Sequence, residues 1–413
     1  MDESSFREIL KQNLTPSRAI TSPEHLRGRE RMLMQISRAF NSPGKHVFIF
    51  GDRGVGKTSL AQTAASIQQS SDAEPILVSC AGSTFFGAVR DAVKQSLPLG
   101  DLVFKKKVEQ KLRGGSSSFG FDLGRTLESG VIPQIDSVND AVQLLRFLAE
   151  FHSREPVIIF DEFDQLLGDE DRKACADVVK HVSERIDIRF IICGIGSSLE
   201  KLIGAHLSAE RYISPIPLER LTHDARWEII QNAAQAVGVD IPYAHRIRIG
   251  QISDGFPSYI HLITEKILWC MFDDPNPVTI CSTEHFRAGV SEAVQETVTT
   301  SKAIYDKATQ KHSDDYQEVL WALADGHVLR RQTTEVFDQS YQRIMLDRHT
   351  RKHLSKEQFS GRLNNLKTTN YGEIIIGRGA GWYEFRENIV RGYVRMRAEH
   401  EGVIIGVEAP NNR

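Results

Sequence analysis

Residues 51–58 constrain the fold more than any other stretch of this chain. They read Gly-Asp-Arg-Gly-Val-Gly-Lys-Thr and match the pattern G-x-x-x-x-G-K-[ST] in full. The apolar run 46–50 precedes them, and residues 59–68 follow with helical periodicity. A loop of this kind, set between a strand and a helix, turns successive backbone N–H groups toward phosphate oxygens. The sequence therefore predicts a phosphate-binding loop at the carboxyl end of a buried strand.

The side chains of this loop suggest which atoms of a nucleotide they would contact. We expect the Lys57 ammonium to bridge the β- and γ-phosphates and the Thr58 hydroxyl to coordinate Mg²⁺. The alternative is a glycine-rich turn that binds nothing, and the flanking strand and helix argue against it. The residues predicted to contact nucleotide are Gly51, Asp52, Arg53, Gly54, Val55, Gly56, Lys57, Thr58 and Ser59.

Two carboxylates follow the apolar run 157–160. Ligands bind at the carboxyl ends of the strands in an open parallel sheet, and this is where Asp161 and Glu162 fall. We expect Asp161 to hold magnesium through water, next to Thr58. Glu162 is expected to polarise the water that attacks the phosphate. The alternative is an acidic start to the next helix, a role in which Asp164 would share.

Two further residues are candidates for completing this site. Ser197 follows the next strand, and its hydroxyl is placed to contact the γ-phosphate or the attacking water. The alternative is that Ser197 and Ser198 cap the helix that follows. Arg211 precedes an apolar stretch, where an arginine of an oligomeric ATPase can reach the γ-phosphate bound by a neighbouring subunit. A surface salt bridge to Glu210 or Glu219 is the alternative for Arg211.

The order of apolar runs predicts how the chain is divided. Between residues 21 and 217, short apolar runs alternate with helical stretches, which predicts a parallel sheet covered by helices on both faces. Residues 218–300 have mostly helical patterns. Residues 301–400 contain helical segments and two short strands joined by a glycine-rich turn, which predicts a β-hairpin. Residues 1–20 are predicted to form an N-terminal arm, either loose or a short helix, and residues 401–413 a tail.

The segment 98–134 interrupts the alternation of strands and helices. It contains three consecutive lysines at 105–107 and a Gly-Gly-Ser-Ser-Ser stretch at 114–118. We interpret it as an insertion. It is either a surface excursion with solvated lysines or a contact element for a polymer or a neighbouring subunit.

Composition excludes several classes of protein. With 40% hydrophobic and 25% charged residues, the chain is ordinary for a globular protein and is not disordered throughout. No apolar run approaches the roughly 18 residues of a transmembrane helix, and the acidic start does not resemble a secretory signal. Five scattered cysteines without metal-ligand spacing favour a reducing cytoplasm. Residues 301–400 carry 17 Lys and Arg against 13 Asp and Glu, a mild indication of an anionic partner in a chain of net charge −3.

The order of these motifs resembles the initiator-type AAA+ ATPases, which include the archaeal and eukaryotic origin-recognition and cell-division-control proteins. The resemblance is carried by Pro23 and the Leu-Arg-Gly-Arg-Glu run at 26–30, then residues 51–58, then Asp161 and Glu162. It extends over roughly residues 21–300. It implies that residues 23–28 line the adenine pocket and that ATP binds between the α/β base and the lid.

The lid motif at 253–258 departs from the initiator pattern. It reads Ser-Asp-Gly-Phe-Pro-Ser and lacks the arginine that often serves as the second sensor. In this respect the lid looks more like the target-selector ATPases of transposons, or signalling NTPases of the STAND type.

The C-terminal part also resembles the initiators, because an amphipathic helix at 355–366 is followed directly by the predicted hairpin. A helix, a second helix and a two-stranded wing form a winged helix, in which the second helix enters the DNA major groove and the wing touches the backbone. We expect Arg362 to face outward, opposite the apolar residues of its helix. A winged helix that docks a protein is the alternative. The predicted DNA contacts are Lys356, Arg362, Lys367 and Arg378.

The predicted fold is therefore an α/β P-loop AAA+ base with a parallel sheet, a helical lid and a C-terminal winged-helix domain. The expected function is Mg²⁺-dependent binding and hydrolysis of ATP that drives a conformational or assembly switch on duplex DNA. One alternative is a STAND-type signalling or antiphage-defence NTPase that acts through a separate effector protein. Another is an ATP-dependent transposition regulator. The expected assembly is a homo-oligomer or a pairing with a partner ATPase subunit, in the cytoplasm and without a membrane partner.

Overall fold

The described part of the chain separates into two compact units in the computed structural model. The first, called the sheet unit, comprises Ala19–Gly51 and Gly56–Glu219. The second, called the helix-rich unit, comprises Met1–Arg18, Asp52–Val55 and Arg220–Arg413. The finer division predicted at residues 217 and 300 stays a prediction. The residues that the structure describes are 1–69, 74–97, 132–151, 155–166, 168–205, 207–297, 299–310, 313, 315–348 and 352–407. Most of the predicted insertion, including the lysines at 105–107, therefore lies outside the described residues.

The sheet unit is built on five parallel strands, as the alternating pattern predicts. Their order in the sheet is β2-β3-β4-β1-β5. Strands β1 to β4 are short runs rich in β-branched, aromatic and other apolar residues, which suits a sheet that is buried on both faces, and the edge strand β5 contains two prolines. The strands are β1 (His46–Phe50), β2 (Ile76–Ser79), β3 (Val157–Asp161), β4 (Arg189–Gly194) and β5 (Ile213–Pro217).

The register of the central strands brings their polar ends to one edge of the sheet. Ser79 pairs with Asp161 across β2 and β3, and Phe50 pairs with Gly194 across β1 and β4. The interior of β3 is buried, and Phe160 makes aromatic contacts with neighbouring rings in the core. Because the apolar part of each strand is fixed in this way, the residues that follow β1 and end β2 and β3 lie together at the carboxyl edge.

Six α-helices belong to the sheet unit within its described residues. Thr84 caps the third of them by accepting a hydrogen bond from the backbone N–H of Gly87 at 3.1 Å. Two 3₁₀ turns, Phe163–Gln165 and Leu207–Tyr212, follow β3 and precede β5. The helices are α2 (Glu30–Phe40), α3 (Lys57–Gln68), α4 (Phe85–Ser96), α5 (Val138–Phe151), α6 (Asp169–Arg185) and α7 (Gly196–Ala205).

The helix-rich unit begins with α1 (Glu3–Asn13), so the N-terminal arm is a helix over most of its length. Phe6 fixes this helix by packing against Trp269 and Phe272, with ring centroids 4.9 and 4.4 Å away. Residues 218–300, predicted to be mostly helical, contain four helices. They are α8 (His223–Ala236), α9 (Tyr243–Ile252), α10 (Pro257–Phe272) and α11 (Thr283–Glu296).

The C-terminal part of this unit contains a three-stranded antiparallel sheet in the order β6-β8-β7. The predicted hairpin is confirmed as β7 and β8. Helix, strand, helix, helix and two strands follow one another in the order found in a winged helix. No described helix has the length and apolar content needed to cross a membrane. The elements are α12 (Thr299–Thr309), α13 (Asp315–Ala324), β6 (Arg331–Gln332), α14 (Thr333–Glu335), a π-helical turn (Val336–Tyr341), α15 (Gln342–Leu346), α16 (Lys356–Leu366), β7 (Ile375–Gly377), β8 (Trp382–Phe385) and α17 (Asn388–His400).

Candidate functional site

The loop between β1 and α3 has the backbone that its glycines predict. Gly54 and Gly56 have φ values of 84° and 96°, in the left-handed region that glycine adopts without a steric penalty. Gly56 directly precedes α3, so the first N–H groups of that helix open toward the loop. The Lys57 ammonium donates a hydrogen bond to the Gly51 carbonyl at 2.9 Å, which holds the lysine across the loop. This geometry suits the binding of phosphate groups.

The two residues predicted to serve magnesium lie side by side. The Thr58 hydroxyl donates a hydrogen bond to Asp161 Oδ2 at 2.5 Å, although 103 positions separate the two residues in sequence. The backbone N–H of Glu162 donates to Asp161 Oδ1 at 2.8 Å. Asp161 is therefore fixed from two directions, with a hydroxyl and a carboxylate oxygen presented together. Hard cations such as Mg²⁺ prefer such oxygen ligands.

Glu162 has two features that the sequence did not predict. Its φ is 55°, a left-handed conformation that is uncommon for a residue with a side chain. Its carboxylate Oε2 accepts a hydrogen bond from the Ser79 hydroxyl at 2.7 Å. Ser79 was not among the predicted site residues, although it is the polar residue that ends β2. Its position in the register, opposite Asp161, places it beside Glu162.

Ser197 lies in the first turn of α7 and is exposed. Within the described residues it makes no hydrogen bond that would link it to Asp161, Glu162 or the loop. Its neighbour Ser198 is buried, and its backbone N–H donates to the Ile195 carbonyl at 3.0 Å. The structure thus places Ser197 beyond the end of β4, as predicted, without a direct contact to the acidic pair.

Arg211 is held on the surface by residues that the sequence did not indicate. Its guanidinium donates to the Tyr212 hydroxyl at 2.5 Å and lies 4.6 Å from the centroid of that ring. It also forms a salt bridge of 3.5 Å with Glu184, rather than with Glu210 or Glu219. The Tyr212 hydroxyl donates to the same Glu184 carboxylate at 2.8 Å, and this hydrogen bond is the main cause of a lowered pKa of Glu184. The Arg211 side chain remains 64% exposed.

The segment before α2 is tied to the helix that follows the phosphate-binding loop. The Ile20 N–H donates to the Ser59 hydroxyl at 3.1 Å, and the Thr63 hydroxyl donates to the Ile20 carbonyl at 3.1 Å. Arg29 is buried, and it donates to the Glu219 carbonyl at 2.7 Å. Burial lowers the pKa of Arg29 to about 10. Ser59, predicted to contact nucleotide, thus also anchors the segment that precedes the Gly-Arg-Glu run.

The tip of the loop, Asp52–Val55, belongs to the helix-rich unit and contacts α17 there. Asn388 donates a side-chain hydrogen bond to Asp52 Oδ2 at 2.9 Å. A Cβ atom on Gly54 would lie 2.5 Å from Ile389 Cδ1, the movable end of that side chain, so the left-handed backbone at φ 84° is the stronger reason for glycine at this position. The sequence pattern leaves this position open, and the structure gives the reason why it is a glycine here.

The lid motif is the centre of a buried ionic cluster. Asp254 has a φ of 52°, and its side chain is 4% exposed. Its carboxylate forms salt bridges with Arg391 at 2.9 Å, Arg395 at 3.0 Å and Arg220. The side chains of Arg391 and Arg395 are 0% and 2% exposed. Chiefly because of burial, the pKa of Arg391 is lowered to about 9. The arginines that meet this motif come mainly from α17, far along the chain, which sequence patterns do not reveal.

The four predicted DNA contacts all have partners within the chain. The prediction that Arg362 faces outward is wrong in part. Its side chain is 32% exposed, its Nε donates to Asp315 at 2.8 Å, and it lies over the Tyr316 ring. The reason is that α13 packs against this side of α16 and supplies both groups. The other three predicted contact residues also have partners. Lys356 pairs with Asp338 at 3.5 Å, Lys367 lies 5.4 Å from the centroid of the Tyr383 ring, and Arg378 pairs with Glu384 at 2.7 Å.

A parallel sheet of this order, a glycine-rich loop before α3 and an acidic pair at the carboxyl end of β3 define a P-loop nucleotide-binding protein. A family model described as an ATPase domain predominantly from Archaea matches residues 27–263, more than half of the chain. The chain belongs to this family and is an ATP-hydrolysing enzyme.

Two solved structures show the same fold. The Walker-type ATPase PABY2304 of Pyrococcus abyssi is 16% identical, with a TM-score of 0.55, and the match covers 92% of this chain and 99% of that one. The ORC2 protein of Aeropyrum pernix, in ADPNP–ADP complexes, is 13% identical, with a TM-score of 0.50, and the match covers 97% of this chain and 99% of that one. A search of curated proteins finds no match. The initiator-type AAA+ resemblance is confirmed at the level of the fold.

Proposed function

We propose that the chain binds Mg²⁺-ATP at residues 51–58 and uses hydrolysis to drive a conformational or assembly switch. The observation that carries this proposal is the hydrogen bond between Thr58 and Asp161, at 2.5 Å, together with Lys57, whose ammonium lies across the loop on the Gly51 carbonyl. These three side chains come from two separate sequence motifs, and the fold brings them to one edge of the sheet. Loss of the γ-phosphate contacts on hydrolysis is the event that would release the switch.

The residues at this edge have separate roles in the proposed reaction. Lys57 would leave the Gly51 carbonyl to neutralise the β- and γ-phosphates, and the loop N–H groups would orient them. Thr58 and Asp161 would hold Mg²⁺, Thr58 directly and Asp161 through water. The ion supplies further charge neutralisation when bound. The oxygen chemistry of the pair fits this cation, which usually takes only one or two protein ligands.

Glu162 is the proposed residue that orients and polarises the attacking water. In the structure its carboxylate accepts a hydrogen bond from Ser79, so this contact must change before both carboxylate oxygens can serve water. Ser197 is the proposed second contact to the γ-phosphate or that water. Arg211 is proposed to act on a neighbour's nucleotide in an oligomer, which requires it to leave Glu184.

Two variants test the proposed hydrolysis. Lys57→Ala should abolish or strongly weaken ATP binding measured by calorimetry, because it removes the phosphate-facing charge. Glu162→Gln should retain ATP binding and lose hydrolysis, because an amide does not polarise water as a carboxylate does. Lys201→Ala, a change of an exposed lysine on α7, is the matched control and should alter neither. Unchanged ATP affinity in Lys57→Ala, or wild-type turnover in Glu162→Gln, would contradict the assigned roles.

We further propose that the C-terminal elements act on duplex DNA. The element order of α13 to β8 supports this, as does the excess of basic residues between 301 and 400. Each predicted contact residue is already paired, so phosphates would have to replace Asp338, Asp315 and Glu384 as partners. This exchange is feasible on the surface, since exposed ion pairs contribute little stability.

A quadruple variant with Lys356, Arg362, Lys367 and Arg378 replaced by alanine tests the DNA proposal. It should weaken binding of all duplex sequences about equally and flatten the dependence on salt by about 0.9 for each lost phosphate contact. ATPase activity without DNA should persist. Wild-type DNA affinity at both low and high salt would favour the second candidate, in which this domain docks a separate effector protein in STAND-type signalling. A transposition regulator would instead form filaments on DNA, visible by electron microscopy.

A cytoplasmic location and a homo-oligomer, or a pairing with a partner ATPase subunit, complete the proposal. All five cysteines are free thiols, and four of them are buried, which suits a reducing compartment.

A further inference from the structure

A cavity of about 520 Å³ lies between α1, the turn that follows it, and α10. All of its lining residues belong to the helix-rich unit, well apart in sequence from residues 51–58. Side chains four positions apart on each helix face it: Arg7 and Lys11 from α1, and Glu265 and Trp269 from α10. This spacing puts each pair on one face of its helix. The volume falls within the usual range for small-molecule sites, about 300–1,000 Å³.

Two cations on the cavity wall lack a partner within the part of the chain that the structure describes. Lys11 and Arg18 make no hydrogen bond or ion pair there, while Arg7 pairs with Glu3 at 2.5 Å. Lys11 and Arg18 differ in this respect from the basic residues of α16 and the β7–β8 hairpin, each of which contacts a carboxylate or an aromatic ring. The charges of Lys11 and Arg18 are therefore not neutralised by any group in the part of the chain that the structure describes.

Three further residues, Leu10, Leu14 and Trp269, give the cavity an apolar part of its wall. Leu10 and Leu14 are each 4% exposed and form part of the floor. Trp269 is only partly buried, and Phe6 and Phe272 fix its ring by edge-to-face contacts at 4.9 and 5.7 Å. An indole that is immobilised and still reachable from a cavity offers a surface on which a planar ring can pack.

Glu265 supplies an acceptor beside this ring. Within the described residues its carboxyl group forms neither a hydrogen bond nor a salt bridge, even though three cations line the same cavity. Burial raises its pKa. A carboxyl group held away from the cations can accept hydrogen bonds from an amino group or a sugar hydroxyl of a ligand.

We propose that this cavity binds a phosphate ester of mononucleotide size that carries a planar ring. Lys11 and Arg18 would take the phosphate, Trp269 would pack on the ring, and Glu265 would accept a hydrogen bond from the ring or its sugar. Two unpaired cations suit a doubly charged phosphate better than a singly charged carboxylate. The site is separate from residues 51–58 and does not depend on ATP hydrolysis.

The test uses the full chain with Lys57→Ala, so that nucleotide binding at residues 51–58 is suppressed. AMP, GMP, CMP and UMP are titrated in turn by equilibrium dialysis, and a 5′-phosphorylated oligonucleotide is titrated separately. At least one mononucleotide should bind saturably with one equivalent. Adding Lys11→Ala and Arg18→Ala should weaken it by about tenfold or more. The control pair Arg287→Ala and Lys302→Ala changes the same number of exposed charges elsewhere in the unit and should have no effect.

A second readout separates occupation of the cavity from binding elsewhere. Ligand binding should change the tryptophan fluorescence, and Trp269→Phe should remove most of that change while the protein still binds. Binding of the oligonucleotide alone, with the same dependence on Lys11 and Arg18, would support the site and identify a strand end as the source of the phosphate. The proposal is overturned if no probe binds, or if binding persists unchanged in the Lys11→Ala, Arg18→Ala variant.

Discussion

Replacing Asp254 by asparagine should destabilise the helix-rich unit far more than the removal of an exposed carboxylate would. Asparagine has nearly the same shape and tolerates the left-handed backbone that Asp254 adopts at φ 52°, so the change isolates the charge. Arg391 and Arg395, whose side chains are 0% and 2% exposed, would then lose the carboxylate that they share. Removing one partner of a buried ion pair typically costs about 3–5 kcal/mol.

Two features of the structure support a cost of this size. Asp254 faces three arginines, and the pKa of Arg391 is already lowered to about 9 by burial with the carboxylate present. Arg395 and Arg391 also donate to the Gly326 carbonyl, so neither can turn away to water without losing further hydrogen bonds. A loss of about 3–5 kcal/mol would lower the melting temperature of a unit of this size by about 6–20 °C.

Tryptophan fluorescence is the appropriate assay, because all four tryptophans of the chain lie in Arg220–Arg413 and therefore report on the helix-rich unit. The matched control is Glu373→Gln, which removes the partner of Arg386 in a pair whose side chains are 41% and 48% exposed. This control should cost less than about 1 kcal/mol. If Asp254→Asn and Glu373→Gln unfold at the same denaturant concentration, the reasoning about the buried cluster is refuted.

Two further predictions concern the ATPase site. Ser79→Ala should raise kcat by about two- to tenfold with little change in KM for ATP, because Glu162 no longer has to break a hydrogen bond before it serves water; identical kcat in steady-state assays would remove Ser79 from the mechanism. Arg211→Ala should preserve ATP binding in calorimetry and lower hydrolysis only under conditions where subunits associate. Mixing it with Glu162→Gln protein should then restore part of the activity, and no recovery among demonstrable oligomers would count against action across the interface.

The sheet and the phosphate-binding loop could be predicted because their signals are local. Strands such as β1 and β3 are continuous runs of β-branched and aromatic residues that end at polar residues, and the loop has fixed glycine spacing. The pairing of Thr58 with Asp161 then followed from a general rule about the carboxyl edges of parallel sheets. The hairpin β7–β8 could also be predicted from a local signal, its glycine-rich turn.

The missed features all depend on contacts between distant residues. Ser79 reaches Glu162 because β2 and β3 pair in one particular register, which the strand pattern alone does not specify. Arg362 has the helical position of a solvent-facing residue, and only the packing of α13 shows that Asp315 and Tyr316 cover it. The Asp254 cluster joins residues 137 positions apart, and nothing in the lid motif indicates which cations would meet it.

Helix α17 also affects how this chain could have been assembled by recombination. Arg391, Arg395 and Glu399 lie on it, and they bind Asp254, the Gln251 carbonyl and Arg248 of the lid. A crossover near residue 300 would leave Asp254 with Arg220 alone and bring in a foreign α17 that lacks the matching charges. The lid and the last helix are therefore expected to be inherited together. Among relatives that carry an acid at the position of Asp254, arginines at the positions of 391 and 395 should accompany it.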